Sequence, residues 1–418
     1  MGCSEKHVTF AITWVVYASS YLLRKPLGVI KSDLQTNYNL TNSQLGWLDT
    51  SFHLPYALFQ ITLGNLGDKY GATRVITASM IVMSASMFSF GFWQSPLVFA
   101  ILLFLNGASQ ALLWPNCTKS LSDSYGGAKV ATIFGIWGTC MFVGGIAGTG
   151  LAVQLQKMYS PDLKMVFAVP SVIVLLVAIM VGMFLEKPQK VDTDDDTTKK
   201  SPQKEEMKDL GFFTVWRFQY VPELSFTMFG MKLVRYFLYM WLPMYLHQQL
   251  DYPQDMAGYM STAFEIGAVL GSACMGFIID SMLGGKTRWG VCFALFGSAC
   301  SLVAFQLTST WGPIPNFIFL ATAGAFSSGP DSLVSGALAS EVGEKENARS
   351  AVSGVINGFG GLGTIAEGPI IAFVVTRFGW EGSFYAMIVL TLVSVFAIGK
   401  AAVTHDATIS NQDDGLNV

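Results

Sequence analysis

The sequence predicts an all-α membrane protein whose twelve transmembrane helices form two pseudo-symmetric bundles of six. Composition is the first reason: of 418 residues 52% are hydrophobic and only 13% are charged, about half the charge of a soluble domain. Spacing is the second, because apolar runs long enough to cross a bilayer, about 20 residues each, recur along nearly the whole chain. An ordinary soluble enzyme is therefore excluded.

Glycine, proline or charged residues divide these runs into twelve predicted helices. The first six span residues 8–30, 45–67, 75–94, 97–118, 130–154 and 165–185. The second six span residues 220–246, 256–280, 289–309, 314–338, 350–374 and 380–403. The predicted domains are a six-helix bundle at 1–185, a hydrophilic and flexible cytoplasmic linker at 186–212, a second bundle at 213–404 and a cytoplasmic tail at 405–418.

The two predicted bundles are related by an internal repeat that charged residues reveal. Arg24 in the first helix and Arg235 in the seventh are 211 residues apart. Asp68 closes the second helix and Asp280 closes the eighth, at an offset of 212 residues. Because two independent landmarks share almost one period, the sequence predicts halves that are related by a pseudo-twofold axis.

The basic residues of the short loops predict that both termini are cytoplasmic. The inner loops would hold seven of them, namely Lys69, Arg74, Lys129, Lys286, Arg288, Lys345 and Arg349. The outer loops would hold four, namely Lys31, Lys157, Lys164 and Arg377. The linker, which is rich in basic residues and also falls on the inner side, adds to this excess of basic residues in the inner loops.

Charge, cysteine and glycine patterns exclude several classes of function. The net charge of −3 is the near-cancellation of 25 basic and 28 acidic residues, so no nucleic-acid partner is predicted. The six cysteines, His53 and His247 lack metal-ligand spacing, so neither a metal nor a cofactor is expected. The spaced glycines at 358–363 lie inside an apolar helix rather than at a strand-to-helix turn, which excludes a nucleotide fingerprint. Without a nucleophile or phosphate loop in a suitable context, no enzyme is expected.

Charged side chains inside the predicted helices are the candidates for function, because each costs at least about 2.5 kcal/mol to insert. They are Arg24, Lys25, Asp49, Lys232, Arg235, Glu265, Asp331 and Glu367. Arg24 and Arg235 occupy equivalent positions in the two repeats, and we expect them to face each other, unpaired, at the interface between the bundles. A guanidinium presents a planar fork of donors that matches phosphate oxygens, so this pair is expected to bind one phosphate from both sides. Buried structural ion pairs are the alternative.

Other side chains are expected to complete this site. Lys25 lies about 100° round the helix from Arg24 and could still contact the phosphate. Glu265 is expected to pair with a cation when the site is empty, or else to carry a proton. Four tyrosines flank the arginines and could donate hydroxyl hydrogen bonds or only pack at the interface: Tyr17, Tyr21, Tyr236 and Tyr239.

Residues 64–74, which read GNLGDKYGATR, resemble the signature loop of the major facilitator superfamily between its second and third helices. The resemblance implies a cytoplasmic gating loop that breaks and reforms as the two halves rock. Its members would be Gly64, Asp68, Gly71 and Arg74, with Asp280 in the looser second-half copy.

Four further motifs, YLLRK at 21–25, WPNCTK at 114–119, LVRY at 233–236 and WLPMYL at 241–246, are similar to those of the organophosphate:phosphate antiporters. Residues 48–50, 329–330 and 355–358 look most like the sugar-phosphate exchangers of solute carrier family 37. The resemblance implies that Arg24 and Arg235 bind substrate phosphate and that the membrane is that of the endoplasmic reticulum. Where bacterial members carry charged or histidine side chains, this chain has Met141, Gln60 and Met240, which implies a less charged site.

Together these features predict a monomeric alternating-access antiporter that exchanges a phosphorylated organic solute, such as glucose 6-phosphate or glycerol 3-phosphate, for inorganic phosphate. Its partners would be these small molecules and membrane lipid. One alternative is a proton-coupled symporter of another organic anion, with Glu265 or Glu367 as the proton carrier. The other is a membrane sensor that binds phosphate compounds and transports none.

Overall fold

The computed structural model describes residues 3–63, 66–124, 133, 136–185, 212–345 and 348–416, and over these ranges the regular structure is helical without any strand. The predicted linker lies outside the described residues apart from Phe212, and so does Gly64 of the signature loop. The first half of the chain contains α1 (Cys3–Ser20), α2 (Pro26–Val29), α3 (Lys31–Tyr38), α4 (Asn42–Leu63), α5 (Leu66–Tyr70), α6 (Ala72–Phe90), α7 (Pro96–Gln110), α8 (Leu113–Ser124), α9 (Cys140–Tyr159) and α10 (Lys164–Phe184).

The second half begins with a short helix and ends with a long segment. It contains α11 (Phe212–Trp216), α12 (Val221–Met240), α13 (Leu242–Gln248), α14 (Gln254–Ser261), α15 (Ala263–Met282), α16 (Thr287–Thr308), α17 (Pro313–Ser332), α18 (Ala339–Lys345) and α19 (Arg349–Leu416). The last of these turns at Gly379, whose φ of 70° suits glycine, so the two final predicted helices are its two arms. The second arm continues to Leu416, past the end predicted at 403.

Six described stretches are long and apolar enough to cross a membrane. They are Ala72–Phe90, Pro96–Leu121, Ile136–Tyr159, Lys164–Phe184, Thr287–Trp311 and Ala351–Thr408, the last of which holds both arms of α19. The all-α membrane fold is thus confirmed, while the total of twelve membrane-crossing helices stays a prediction.

The first predicted helix, 8–30, is not continuous, because it breaks where Arg24 lies. The α-helix ends at Ser20, a 3-10 turn covers Tyr21–Leu23, and α2 begins at Pro26. Proline has no amide hydrogen to donate, so it starts a helix readily but interrupts a continuing one. The predicted seventh helix breaks in the same way at Trp241, before Pro243 of α13.

Close helix packing inside the first half depends on small residues. A Cβ atom added at Gly144 of α9 would lie 2.4 Å from the carbonyl oxygen of Ala18 in α1, whereas one added at Gly150 would meet nothing within 4 Å. Small residues allow membrane helices to approach this closely, so α1 and α9 pack backbone against backbone.

We therefore expect Gly144→Val to destabilise the protein and Gly150→Val, in the same helix, to have little effect. Overpacking of this kind costs about 1–3 kcal/mol. The measurement is the thermal unfolding midpoint of each purified variant in detergent. Equal midpoints for the two variants would show that α1 and α9 are not packed as described.

The two halves meet at the side of the molecule that carries α3 and the turns at 160–163 and 249–253, which we name the α3 face. There Lys157 Nζ lies 2.6 Å from Asp255 Oδ2 across the interface. The amide nitrogens of Gln248 and Gln254 donate to Gln35 Oε1 at 2.7 Å and to Asp33 Oδ2 at 2.9 Å. A Cβ atom added at Gly46 of α4 would lie 2.4 Å from the carbonyl oxygen of Gly368 in α19. The halves are closed at this face.

Candidate functional site

Arg24 lies in the break between α1 and α2, where its side chain is buried and turned toward α7. Its Nε and Nη2 atoms both donate to Gln110 Oε1, at 3.1 and 2.8 Å. The amide nitrogen of Gln110 in turn donates to Asn106 Oδ1 at 2.9 Å, which fixes the orientation of the glutamine. The guanidinium is therefore held in place by neutral partners, and no described carboxylate lies within ion-pair distance of it.

Three aromatic rings surround the same guanidinium. Its carbon Cζ lies 4.6 Å from the ring centroid of Tyr21, 5.2 Å from that of Phe52 and 5.1 Å from that of Tyr56. The electron-rich faces of aromatic rings attract a cation without neutralising its charge. Arg24 thus remains a full positive charge in a low-dielectric setting, where an incoming anion would be strongly attracted.

Arg235 of α12 has a different set of partners. Its Nη1 atom donates to Asp331 Oδ2 of α17 at 2.7 Å, and its Nε and Nη2 atoms donate to the Tyr239 hydroxyl at 3.2 and 3.0 Å. Lys232 Nζ lies 2.7 Å from the same oxygen of Asp331. The expectation that both arginines are unpaired is therefore wrong for Arg235, because the packing of α12 against α17 brings Asp331 to it.

Lys25 and Glu265 join the two halves. Lys25 Nζ lies 3.0 Å from Glu265 Oε1, and both side chains are buried. This ammonium serves Oε1 of Glu265, while Oε2 of the same carboxylate has no hydrogen-bond partner among the described residues. The same ammonium lies 4.0 Å above the ring of Tyr239, the tyrosine that binds Arg235.

The four predicted tyrosines have distinct positions. Tyr21 stacks on Arg24 and also interacts electrostatically with Arg235, and Tyr239 contacts both Lys25 and Arg235. Tyr17 is one step removed, with its hydroxyl 3.4 Å from that of Tyr56. The ring of Tyr236 packs against that of Tyr239, at a centroid distance of 5.7 Å, and against His53 at 4.7 Å. The structure thus gathers the tyrosines and the basic residues of both halves into one region.

The predicted gating loop is described only in part. Gly71 has a φ of 90°, which suits glycine, and caps the start of α6. Arg74 follows it with an exposed side chain. The side chains of Asp68 and Asp280 lie outside the described atoms, so their role in the gating loop and its second-half copy stays a prediction.

The charges in this region do not balance. Arg24, Lys25, Lys232 and Arg235 stand against two carboxylates, Glu265 and Asp331, among the described residues. The site therefore carries an excess of two positive charges when all six groups are ionised. A phosphate monoester carries about 1.5 to 2 negative charges at neutral pH, so one such group would nearly neutralise the region.

Several members of the site were not assigned by sequence reasoning. Gln110 is uncharged and nothing in its sequence context marks it, although its i, i+4 spacing from Asn106 places both amides on one helix face. The same spacing relates Phe52 and Tyr56, which form part of the aromatic surround of Arg24. Asp331 was recognised only as one of the charged residues inside the predicted helices.

Exposure across the site increases away from the α3 face. Arg24 is 4% exposed, while the side chain of Arg235 is 12% exposed and that of Lys232 is 26% exposed. The helices are closed together at the α3 face, so the more exposed basic side chains of the site lie on the side away from these contacts.

Sequence comparison matches residues 13–257 and 224–414 to the pattern of the Major Facilitator Superfamily. Among curated proteins, the bovine (Bos taurus) glucose-6-phosphate exchanger SLC37A2 is 27% identical over 447 residues, which cover 90% of each chain. A candidate glycerol-3-phosphate transporter of Arabidopsis thaliana, numbered 2, is 26% identical over 445 residues, which cover 95% of this chain and 86% of that one.

Solved structures show the same fold at low sequence identity. A bacterial homologue of the human lysosomal transporter Spinster aligns with a TM-score of 0.75 at 15% identity, covering 97% of this chain and 98% of its own. The nucleoside transporter NupG aligns with a TM-score of 0.72 at 14% identity, covering 94% of this chain and 99% of its own. At these identities the likeness concerns the fold alone.

Proposed function

Because the chain belongs to the Major Facilitator Superfamily, we propose that it is a transporter that exchanges a phosphorylated organic solute for inorganic phosphate by alternating access. That the chain is a multi-pass membrane transporter follows from its family and from its apolar helices. The exchange reaction, the phosphate cargo and the residues that bind it are the proposal.

The observation that carries the proposal is the buried, uncompensated charge of Arg24. A buried cation without a counter-ion is costly, so it persists where a ligand supplies the missing anion. Arg24 is held by Gln110 and aromatic rings rather than by a carboxylate, and Arg235 and Lys232 share a single one. A phosphate that contacts Arg24 and displaces Asp331 from Arg235 would link the two halves of the molecule.

Electrostatics also explains why exchange is favoured over net transport. Closing the site around an excess of two positive charges would remove these charges from water without compensation, which costs several kcal/mol. A bound phosphate dianion removes most of this cost, and inorganic phosphate and a phosphate monoester carry similar charge. The loaded protein should therefore reorient in both directions, while the empty protein reorients slowly.

The proposed cargo is a sugar phosphate or glycerol 3-phosphate, in keeping with the names of the two curated relatives. We further propose an endoplasmic reticulum membrane and cytoplasmic termini. The support for these is the resemblance to solute carrier family 37 and the excess of basic residues in the predicted inner loops. We propose a monomer, since the site is built from one chain.

The test is uptake of labelled phosphate into proteoliposomes that are preloaded with inorganic phosphate, glucose 6-phosphate, glycerol 3-phosphate or buffer alone. We expect uptake at least about tenfold faster with an effective preload than with buffer. This ratio means that the activation free energy for reorientation is about 1.4 kcal/mol higher for the empty protein than for the loaded protein. The effective preload identifies the cargo.

Two other outcomes would overturn the exchange reaction. Uptake that ignores the preload and follows an imposed pH gradient would indicate a proton-coupled symporter. Binding of phosphate compounds to the purified protein without any uptake would indicate a sensor that does not transport.

A further inference from the structure

A second cluster of charged residues lies apart from the arginines, between them and the α3 face. Lys31 of α3 donates from Nζ to Asp49 Oδ2 of α4, and this nitrogen also lies 3.8 Å from the ring centroid of Trp241. Glu367 of α19 interacts electrostatically with both Asp49 and Lys31. Lys31, Asp49, Trp241 and Glu367 are all fully buried, each with 0% exposure.

The cluster spans the interface between the halves. Lys31 and Asp49 belong to the first half, while Trp241 and Glu367 belong to the second. The backbones meet closely here, since a Cβ atom added at Gly368 would lie 2.2 Å from the carbonyl oxygen of Gly46 and 3.1 Å from Asp49 Cβ. The cluster can therefore form only while the halves are closed at the α3 face.

Among the residues that the structure describes, three carboxylate oxygens of the cluster have no hydrogen-bond partner. They are both oxygens of Glu367 and Oδ1 of Asp49. The indole N–H of Trp241 faces both carboxyl groups, but it forms no hydrogen bond of ordinary length and angle with either. A fully buried carboxylate that lacks a donor is costly, so this group should bind a ligand that supplies one.

The charge of the cluster identifies that ligand. Among the described residues, one ammonium stands against two carboxyl groups, which leaves one uncompensated negative charge when all three are ionised. His53 lies one turn after Asp49 on α4, where it interacts electrostatically with Lys31 of the cluster and with Arg24, and its ring packs against that of Tyr236. A single proton would neutralise the cluster and would provide an O–H donor for the free Oδ1 of Asp49.

We propose that Glu367 binds a proton, shared with Asp49, when the two halves close at the α3 face, and releases it when they separate. Separation would bring water to Glu367 and leave Asp49 paired with Lys31, so the carboxylate would then be stable in its ionised form. Closure at this face is thereby linked to the uptake of one proton, and acid favours the closed state. The inference requires that the halves separate here, but not that the cargo is phosphorylated.

The test measures the position of the halves directly and does not depend on transport. Spin labels are attached at Met158 and Asp251, two exposed positions at the α3 face on opposite halves, in a protein whose native cysteines have been replaced. Distance distributions by electron double resonance then give the ratio of closed to open protein as a function of pH. As the pH rises, we expect the ratio of closed to open protein to fall, by up to about tenfold per pH unit over part of the range. This is the slope that linkage to one proton requires.

Two variants should remove this dependence by different routes. Glu367→Gln makes the cluster neutral without a proton, and Asp49→Asn leaves Lys31 free to pair with an ionised Glu367, so both should stay closed at high pH. Glu381→Gln changes an exposed glutamate on the second arm of α19 and should retain the wild-type pH dependence. A wild-type ratio that does not change with pH, or an unchanged dependence in Glu367→Gln, would overturn the proposal even if phosphate exchange is confirmed.

Discussion

Replacing Arg24 with alanine is expected to lower phosphate affinity and exchange by at least about a hundredfold. Truncating one member of a buried, hydrogen-bonded charge pair costs about 2–5 kcal/mol, and about 1.4 kcal/mol corresponds to each factor of ten. Arg24→Lys retains the charge but loses the planar fork of donors, so it should recover only part of the affinity. The measurements are equilibrium binding of labelled phosphate in detergent and exchange in proteoliposomes.

Arg377→Ala is the matched control for this substitution. Arg377 is an exposed arginine on α19, so its removal should leave both binding and exchange unchanged. If Arg24→Ala were folded and retained wild-type affinity, Arg24 would be a structural residue whose charge is satisfied by Gln110 and its aromatic neighbours alone.

Replacing Asp331 with asparagine is expected to have the second largest effect. Whereas Arg24→Ala should weaken phosphate binding, this substitution should strengthen it. This change leaves Arg235 and Lys232 without their shared carboxylate, so the excess of positive charge in the site rises from two to three. Since an uncompensated charge is then present in the empty state, phosphate should bind about tenfold more tightly, an effect reduced by the partial exposure of this carboxylate. Release should slow, so the maximal exchange rate should fall while the half-saturating phosphate concentration also falls.

Asp162→Asn supplies the control, because Asp162 is an exposed aspartate in the turn before α10. It should change neither parameter. A folded Asp331→Asn protein that binds phosphate more weakly than wild type would show that Asp331 positions Arg235 for the ligand rather than competing with it.

The two charge clusters between the halves carry excess charge of opposite sign. The arginine site carries excess positive charge and would be neutralised by a phosphate dianion. The cluster around Glu367 carries excess negative charge and would be neutralised by one proton. Both lie at the interface, so each ligand would stabilise contacts that hold the halves together.

Much of the fold and part of the site could be predicted from the sequence. Apolar length located most helices within a few residues, because the bilayer sets that length. The pairing of Arg24 and Arg235 came from the internal repeat, and the structure places both in one region with Tyr21 and Tyr239 between them.

The remaining features depend on contacts between distant segments. Pro26 marks the break around Arg24 in the sequence. The length of an apolar run, however, does not show whether the helix within it is interrupted. The partner of Arg235 is Asp331, 96 residues away, and sequence spacing could not select it over the other buried carboxylates. The position of Lys25 likewise follows from its contact with Glu265 of the other half rather than from its angle relative to Arg24.

Phosphate binding between the two arginines is tested most directly by a cryo-electron microscopy structure of the protein with inorganic phosphate or glucose 6-phosphate bound. We predict phosphate density whose oxygens lie at about 2.7–2.9 Å from the guanidinium nitrogens of Arg24 and Arg235, with Asp331 displaced from Arg235. Density for the solute away from Arg24, with the contacts to Gln110 and Asp331 intact, would contradict it.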